Sequence, residues 1–369
     1  MERHILLTGA TGTIGSMHLL ELLSRGYQVS CLIRGESEQA RFDKLATTVG
    51  REVASQTKII NGEITRELAG VDPQVIAELK GRVDIVVHHA GSIKFDQKYL
   101  DEIMAANIGG TANMLALAEA LEVTHFCYDS TAYVLNSEAR NPYEVSKKKA
   151  EEMVLDWQFG QVMVWRPSIV VGRMTDGVTN GFNGYYGFLS GFNFLKYQLS
   201  KMWKKGNIDE CQEQGFRFDE LGRLILLYPL YIDYSRESTL NLVPVDWAVR
   251  EMTYLMESAT WGSVFNLVNV NPPKVAWAIE KSLEILGIVG VRRLPHEASP
   301  QSVQVGVPET FRIIQERING QIERFWHYIN YEKCFDSDSI TEAPPVDSAF
   351  FQTMLEYAVA QRFGRVSKK

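Results

Sequence analysis

Residues 5–15 read Ile-Leu-Leu-Thr-Gly-Ala-Thr-Gly-Thr-Ile-Gly, and apolar residues return at helical spacing over 18–23. This pattern predicts a buried strand, a tight glycine turn and a helix. Gly9 can adopt a turn conformation closed to residues with a Cβ. Gly12 lets the backbone approach a pyrophosphate, and Gly15 lets the helix pack close to the strand, its N-terminus facing the negative charge. The spacing is GxxGxxG, one residue wider at the front than GxGxxG. In this setting it predicts a dinucleotide held by Gly9, Thr11, Gly12, Thr13, Ile14 and Gly15; the alternative is an ordinary tight turn.

The following residues repeat the unit. A second strand, Gln28–Ile33, ends at Arg34, where an acid would accept from ribose hydroxyls and an arginine suits a 2′-phosphate. Arg34 therefore argues for NADPH over NADH; Arg41 is either a second phosphate contact or a surface residue. A short strand at Ile59–Ile60 leads to Glu63, which either accepts from the adenine amine or is a plain loop acid, and Ile64, placed to pack on the ring. Val83–His88 is an apolar run typical of a buried parallel strand. It ends at Ala90-Gly91-Ser92, small residues that let a flat ring slide past. His88 and His89 are neighbours on a strand and point to opposite faces, so no metal is expected there. A helix over 103–121 carries Asn107 and two mid-helix glycines, Gly109 and Gly110, which a close contact would explain. Strand Thr124–Tyr128, helix 143–157 entered through Pro142, and strand Val162–Arg166 follow. Alternating strands and helices with short loops predict an α/β doubly wound parallel sheet.

After Gly172 the character changes. Residues 177–200 are rich in glycine and aromatics, 201–222 are charged and irregular, and Leu224–Ile232 is apolar but interrupted by Pro229. Such a stretch cannot all be loop, and helical pieces forming a lid or substrate wall are expected. Helices at 243–256 and 272–286, a strand at 264–268 and a mostly helical tail over 308–363 complete the chain. The expected division is a cofactor-binding domain over 1–175, an aromatic lid over 176–242, a return to the sheet over 243–272 and a mostly helical substrate subdomain over 273–369. The aromatic and lysine residues of 192–205 suit a lid helix; contact with a membrane face is the alternative.

The 369 residues allow one large core plus a smaller subdomain, and a formal net charge of −7 does not suggest a nucleic-acid partner. Cys31, Cys127, Cys211 and Cys334 have no metal-ligand spacing and fit a reducing, cytoplasmic compartment. Residues 1–4 lead straight into a strand, so no signal peptide is expected, and no apolar stretch reaches the roughly 20 residues of a membrane span.

Tyr143 and Lys147 stand four apart at the start of one helix and share a face. A phenol is a poor acid at its ordinary pKa, and a lysine ammonium beside it favours the phenolate. The pair can pass a proton to or from a carbonyl or hydroxyl oxygen, and the lysine can also hold the nicotinamide ribose. Thr131, at the preceding strand end, can steady developing charge on the substrate oxygen. Ser130 is the rival hydroxyl, and adjacent strand residues face opposite ways. In such folds ligands sit beyond the C-terminal strand ends, where these residues fall, so hydride transfer to a carbonyl is the expected reaction.

With these residues in place the chain resembles an extended short-chain dehydrogenase/reductase, and more narrowly its thioester reductase and fatty acyl reductase branch. The segments that carry the resemblance are Thr8–Gly15, Leu32-Ile33-Arg34, Asn107–Thr111, Ser130–Val134, Tyr143 with Lys147, Arg166–Gly172 and Val243–Asp246. The resemblance implies that Asn107 helps hold the active-site water and backbone. It also implies that the backbone around Pro167, Ile169 and Val170 meets the nicotinamide carboxamide. Glu63 stands where an aspartate is usual. The implied function is NADPH-dependent reduction of a lipophilic acyl thioester, on CoA or a separate carrier protein, to aldehyde or alcohol. The alternative is reduction of a free apolar ketone or steroid-like molecule. Epimerase or dehydratase chemistry on a nucleotide sugar, and a cofactor-sensing scaffold, are further alternatives. The resemblance also implies a homodimer through helices 103–121 and 143–157.

Overall fold

The computed structural model describes residues 3–135, 139–206, 208–295, 298, 306–331 and 335–365; Cys334 lies outside them. Seven strands form one all-parallel sheet: β1 (His4–Thr8), β2 (Gln28–Ile33), β3 (Lys58–Asn61), β4 (Ile85–His88), β5 (His125–Asp129), β6 (Gln161–Pro167) and, from late in the chain, a strand at Ser263–Leu267. Their order is Ser263–Leu267, β6, β5, β4, β1, β2, β3, so the chain reverses direction across the sheet between β1 and β4. In a sheet of this kind that reversal opens the crevice where ligands sit.

Side chains alternate between the two faces with period two. Ile5, Leu7, Cys31, Val87, Cys127 and Trp165 share one buried cluster, while Leu6, Leu32, Val86, Phe126, Tyr128 and Val164 share another. The first face is covered by α1 (Thr13–Ser24) and by a helix at Val245–Ser258; the second by helices at Gly110–Ala120 and Pro142–Leu155. Near β2 and β3 lie α2 (Glu38–Val49), α3 (Arg51–Ser55) and α4 (Pro73–Leu79). Burial pushes the thiols of Cys31 and Cys127 up, and both are free.

The expected helix over 103–121 is interrupted. It runs as α5 (Leu100–Met104), a π-helical stretch Ala105–Gly109, and α6 (Gly110–Ala120). A Cβ on Gly110 would lie 2.8 Å from the Ile64 Cδ1, so close contact explains this glycine, whereas one on Gly109 would meet nothing within 4 Å. Then come α7 (Pro142–Leu155) and β7 (Ile169–Val171).

The second layer meets the expectation of helical pieces in part and departs from it in its strands. Residues 185–204 form one long helix, α8 (Tyr185–Lys204), followed by α9 (Ile208–Glu213), β8 (Phe216–Phe218) and β9 (Leu224–Ile232). The apolar run that suggested helical pieces is therefore a strand. It pairs with β8 and with a strand at Ile288–Arg293, whose register shifts between Val289 and Val291. That bulge lies opposite the Pro229 region, and Gly290 there has φ +102°. A bulge is where a strand tolerates a residue without an N–H. β10 (Leu242–Pro244) pairs with β7 and leads into α10 (Val245–Ser258), β11 (Ser263–Leu267), α11 (Val275–Leu286) and β12 (Ile288–Arg293). The tail adds α12 (Glu309–Ile322), α13 (Trp326–Asn330) and α14 (Ser348–Ala360). Tyr185, Phe188 and Phe192 of α8 enter one apolar core with Leu224, Ile279, Ile318, Ile322 and Phe351.

Phe351 is wholly buried, with its ring centroid 4.9 Å from Trp277 and 6.0 Å from Tyr185, so it joins α14 to α11 and α8. Phe351→Ala is expected to destabilise by about 3–5 kcal/mol. Urea unfolding measures this, and a loss under about 1 kcal/mol would show that α14 does not seal this core.

Candidate active site

The glycine turn is closed by backbone contacts. Gly9 has φ +75°, and a Cβ there would lie 2.9 Å from the Ala90 nitrogen. Gly12 N–H donates to the Gly9 carbonyl at 2.8 Å. A Cβ on Gly15 would fall 2.3 Å from that same carbonyl oxygen, so only glycine allows α1 to sit so close. No side chain caps the N-terminus of α1. Its first N–H groups are thus available to an anion, which is the chemistry a pyrophosphate needs. The residues present fit a dinucleotide on this ground.

This turn opens into a cavity of about 340 Å³. Gly9, Gly12, Thr13, Ile14 and Gly15 line one end. Gly91 and Ser92 after β4, Pro167, Ile169 and Val170 around β6 and β7, and Thr131, Tyr143 and Lys147 line the rest. Thr11, Ala90 and Asn107 lie outside this lining. The Ala90 N–H donates to Thr8 Oγ1 at 3.1 Å. Asn107, in the π-helical stretch, accepts from the Ser92 N–H at 2.6 Å and donates to the Ser92 carbonyl at 2.9 Å and to Ser146 Oγ at 2.7 Å. It therefore ties the loop after β4 to α7, one turn from Tyr143.

Arg34, Glu63 and Ile64 also lie away from the cavity. Arg34 is exposed and donates to Glu63 Oε2 at 3.2 Å, so the two residues assigned to opposite ends of the adenosine are an ion pair with each other here. Arg41 folds back to donate to the Gly35 carbonyl at 3.0 Å. Ile64 packs towards Gly110.

Ser130 and Thr131 differ in their commitments. Ser130 Oγ donates to Glu151, which Arg166 also grips with two nitrogens. Thr131 Oγ1 has a long contact, 3.4 Å, to the Pro167 carbonyl. Lys147 is 8% exposed; its Nζ donates to the Asp129 carbonyl and lies 4.2 Å from the centre of the Tyr128 ring.

The Lys147 ammonium favours the phenolate of Tyr143, as their spacing leads one to expect, but it does not prevail. Burial dominates and pushes the phenol up to about 12; the Lys147 ammonium and a hydrogen bond with Thr131 pull the other way without prevailing. Desolvation penalises the charged form more than one nearby ammonium restores it. The group is a neutral phenol, the state that donates a proton.

The opposite wall is in part the aromatic stretch expected to form a lid or substrate wall, which supplies Tyr185 and Phe188; Phe95, Phe325 and Tyr328 were not legible in the sequence. Phe95, Tyr185, Phe188, Phe325 and Tyr328 line it, with the loop Asn180–Gly184. Asn180 Nδ2 donates to Ser16 Oγ at 2.8 Å, which fastens that loop to α1. The Phe95 and Tyr328 rings stack at 5.7 Å, and Tyr328 O–H donates to Glu144 Oε1 at 2.7 Å. Phe325 lies 5.9 Å from Phe188. Phe325 and Tyr328 fall in the tail expected to be mostly helical, and nothing in the sequence placed them opposite Tyr143.

Among the described residues no group of side chains is arranged to hold a metal ion, and no helix is long and apolar enough to cross a membrane.

The family described as "Male sterility protein" matches residues 7–140 and 135–252. The aldehyde reductase lnaA of Aspergillus flavus is 22% identical over 96% of this chain and 36% of that protein. The L-2-aminoadipate reductase large subunit of Eremothecium gossypii is 22% identical over 74% of this chain and 20% of that subunit. The chain thus spans about a third or less of the length of these relatives. The crystal structure of the terminal R domain from the myxalamid PKS-NRPS biosynthetic pathway has the same fold, with TM-score 0.74 and 21% identity over 98% of this chain and 92% of that one.

A neutral phenol raised by desolvation has a spectroscopic signature. The alkaline difference spectrum of wild type minus Tyr143→Phe should place the missing phenol's ionisation near pH 12. Because the folded pKa is raised, Tyr143 favours the fold fully below the unfolded value of about 10, and that contribution is lost as pH rises towards 12. A midpoint near 10 would show that the ring is solvated.

Proposed function

The chain belongs to the male sterility protein family of extended short-chain dehydrogenase/reductases and is an NAD(P)H-dependent oxidoreductase; from that premise we propose that it reduces a compact, apolar acyl thioester to an aldehyde. The thioester would be carried by CoA or by a carrier protein. One observation carries the reading: Thr131, Tyr143 and Lys147 share a cavity with the glycine turn on one side and an aromatic wall on the other. At about 340 Å³ the space is near the lower end of the ~300–1,000 Å³ of ligand pockets. Since a nicotinamide would occupy part of it, the acyl group is small or planar rather than a long chain.

The bound nicotinamide supplies the hydride. The turn Gly9–Gly15 and the N-terminus of α1 would hold the pyrophosphate, with Thr11 and Thr13 beside it. Gly91 and Ser92 would border the ring, and Asn107 fixes the backbone of Ser92. Pro167, Ile169 and Val170 would meet the carboxamide and Lys147 the ribose. Arg34, released from Glu63, would meet a 2′-phosphate and so favour NADPH, and Glu63 and Ile64 would meet the adenine.

Thr131 and Tyr143 donate to the thioester oxygen as hydride reaches the carbon. Both O–H groups would then be directed at the oxyanion, where preorganised donors stabilise developing charge. Collapse re-forms the C=O bond, breaks C–S, and releases a thiolate that takes up a proton. In a second reduction, of the aldehyde, Tyr143 gives its proton to the alkoxide.

Incubation with NADPH and a panel of acyl-CoAs, carrier-bound acyl groups, aldehydes and cyclic ketones tests the reading. Cofactor oxidation with thioesters is expected, and oxidation with ketones alone would overturn it. Tyr143→Phe should lower kcat by roughly 10²–10⁴-fold with NADPH affinity nearly unchanged. Undiminished turnover would remove Tyr143 from the reaction. Arg34→Ala should weaken NADPH about tenfold or more and NADH little, as loss of a charge-assisted phosphate contact requires. Equal losses for both cofactors would refute the phosphate contact.

A further inference from the structure

One buried polar chain beside the cavity has no part in the steps above. Asp129, at the end of β5, lines the cavity and is 8% exposed. Its Oδ2 lies 3.0 Å from His89 Nδ1, while its Oδ1 is buried with no hydrogen-bond partner. His89 Nε2 lies 2.8 Å from His18 Nδ1, and His18 Nε2 lies 3.1 Å from Thr253 Oγ1. Thr253 in turn donates to the Val249 carbonyl at 2.9 Å.

That last bond sets the direction of all the others. With its one proton given to Val249, Thr253 must accept from a His18 Nε2–H. Burial holds His18 well below the usual imidazole range, so it is neutral and its Nδ1 is an acceptor. His89 therefore donates through Nε2. A proton must also lie between His89 Nδ1 and Asp129 Oδ2, on one atom or the other, or two lone pairs would face each other at 3.0 Å. The His89 ring is further fixed by stacking on Trp165, with centroids 6.1 Å apart and planes at 20°. One oxygen of Asp129 is thus anchored, and the other keeps an acceptor site unused. A buried acceptor in that condition is costly and calls for a partner.

Lys147 indicates which partner. Its Nζ donates to the backbone carbonyl of this same Asp129 and has two further N–H bonds. A hydroxyl that accepts from one of them stands beside the Asp129 carboxylate with a proton of its own to donate.

We propose that Asp129 binds the cofactor directly, its Oδ1 accepting a hydrogen bond from the nicotinamide-ribose hydroxyl that Lys147 also holds, and that His89, backed by His18, is a positioning residue that keeps this carboxylate turned to the cavity. This rests on the preceding reading, in which Lys147 meets that ribose. Neither histidine is a metal ligand; both serve to orient one acid.

Binding measured by titration calorimetry, without substrate, tests it with two ligands. NADPH carries the nicotinamide ribose; adenosine 2′,5′-bisphosphate carries only the adenosine half. Asp129→Ala should weaken NADPH roughly ten- to a hundredfold and leave the bisphosphate unchanged. His89→Leu should do the same, and His89→Asn, whose amide can replace the Nδ1–H, should restore affinity. A purely structural role would lower both ligands together and show no such rescue. Should Asp129→Ala not fold, Asp129→Leu replaces it as a variant of similar size without an acceptor. Unchanged NADPH affinity in the Asp129 variant, or equal loss for both ligands, overturns the proposal. Lys147→Met separates the two levels. If it weakens NADPH while the Asp129 variant does not, the inference alone fails; if it leaves NADPH untouched, the placement of the cofactor fails with it.

Discussion

The backbone of Gly15 rests on the carbonyl oxygen of Gly9, at a distance that leaves no space for a methyl group. This contact fixes where α1 starts and how it lies on the sheet. From it follow the open N–H groups at the head of the helix, the position of Ser16 under the Asn180 loop, and the placing of His18 within reach of His89. A larger residue would lift α1 from the strand and separate all three at once.

Much of the sheet was legible because its evidence is local. Period-two alternation and runs of apolar residues marked β1 to β6 to within a few residues. Pro142 marked the start of α7, and Gly9, Gly12 and Gly15 announced the turn. The second layer was less legible for a physical reason. Leu224–Ile232 is apolar on successive residues and contains Pro229, a pattern shared by short helices and by a strand with a bulge. Only its partners distinguish the two, and one of them, Ile288–Arg293, lies some sixty residues away. It follows Gly287, a left-handed helix cap that the sequence reading passed over.

The site divides in the same way. Thr131, Tyr143 and Lys147 are near neighbours in the chain, and their spacing carried the chemistry. Phe95, Phe188 and the pair Phe325 and Tyr328 come from three distant segments, and no local pattern joins them. The chain of Asp129, His89, His18 and Thr253 is harder still to see, since it draws one residue each from β5, the end of β4, α1 and α10. Viewed singly, His89 was a neighbour of His88 and His18 a polar residue in an apolar helix. The spacing of Tyr143 and Lys147 reports the ammonium beside the phenol and not the desolvation around it, which dominates.

The bond from Tyr328 to Glu144 spans 184 positions. Everything that builds the glycine turn, the strand ends and α7 has been synthesised, and can pack, well before Tyr328 leaves the ribosome. Loss of order from α12 through α13, by proteolysis or by local melting, would strip Phe325 and Tyr328 from the aromatic wall, while the glycine turn would keep its own contacts with the strand ends and α1. The glycine-turn side of the cavity and part of its aromatic side are therefore carried by distant stretches of the chain, and melting of the later one would open the cavity without dismantling the turn.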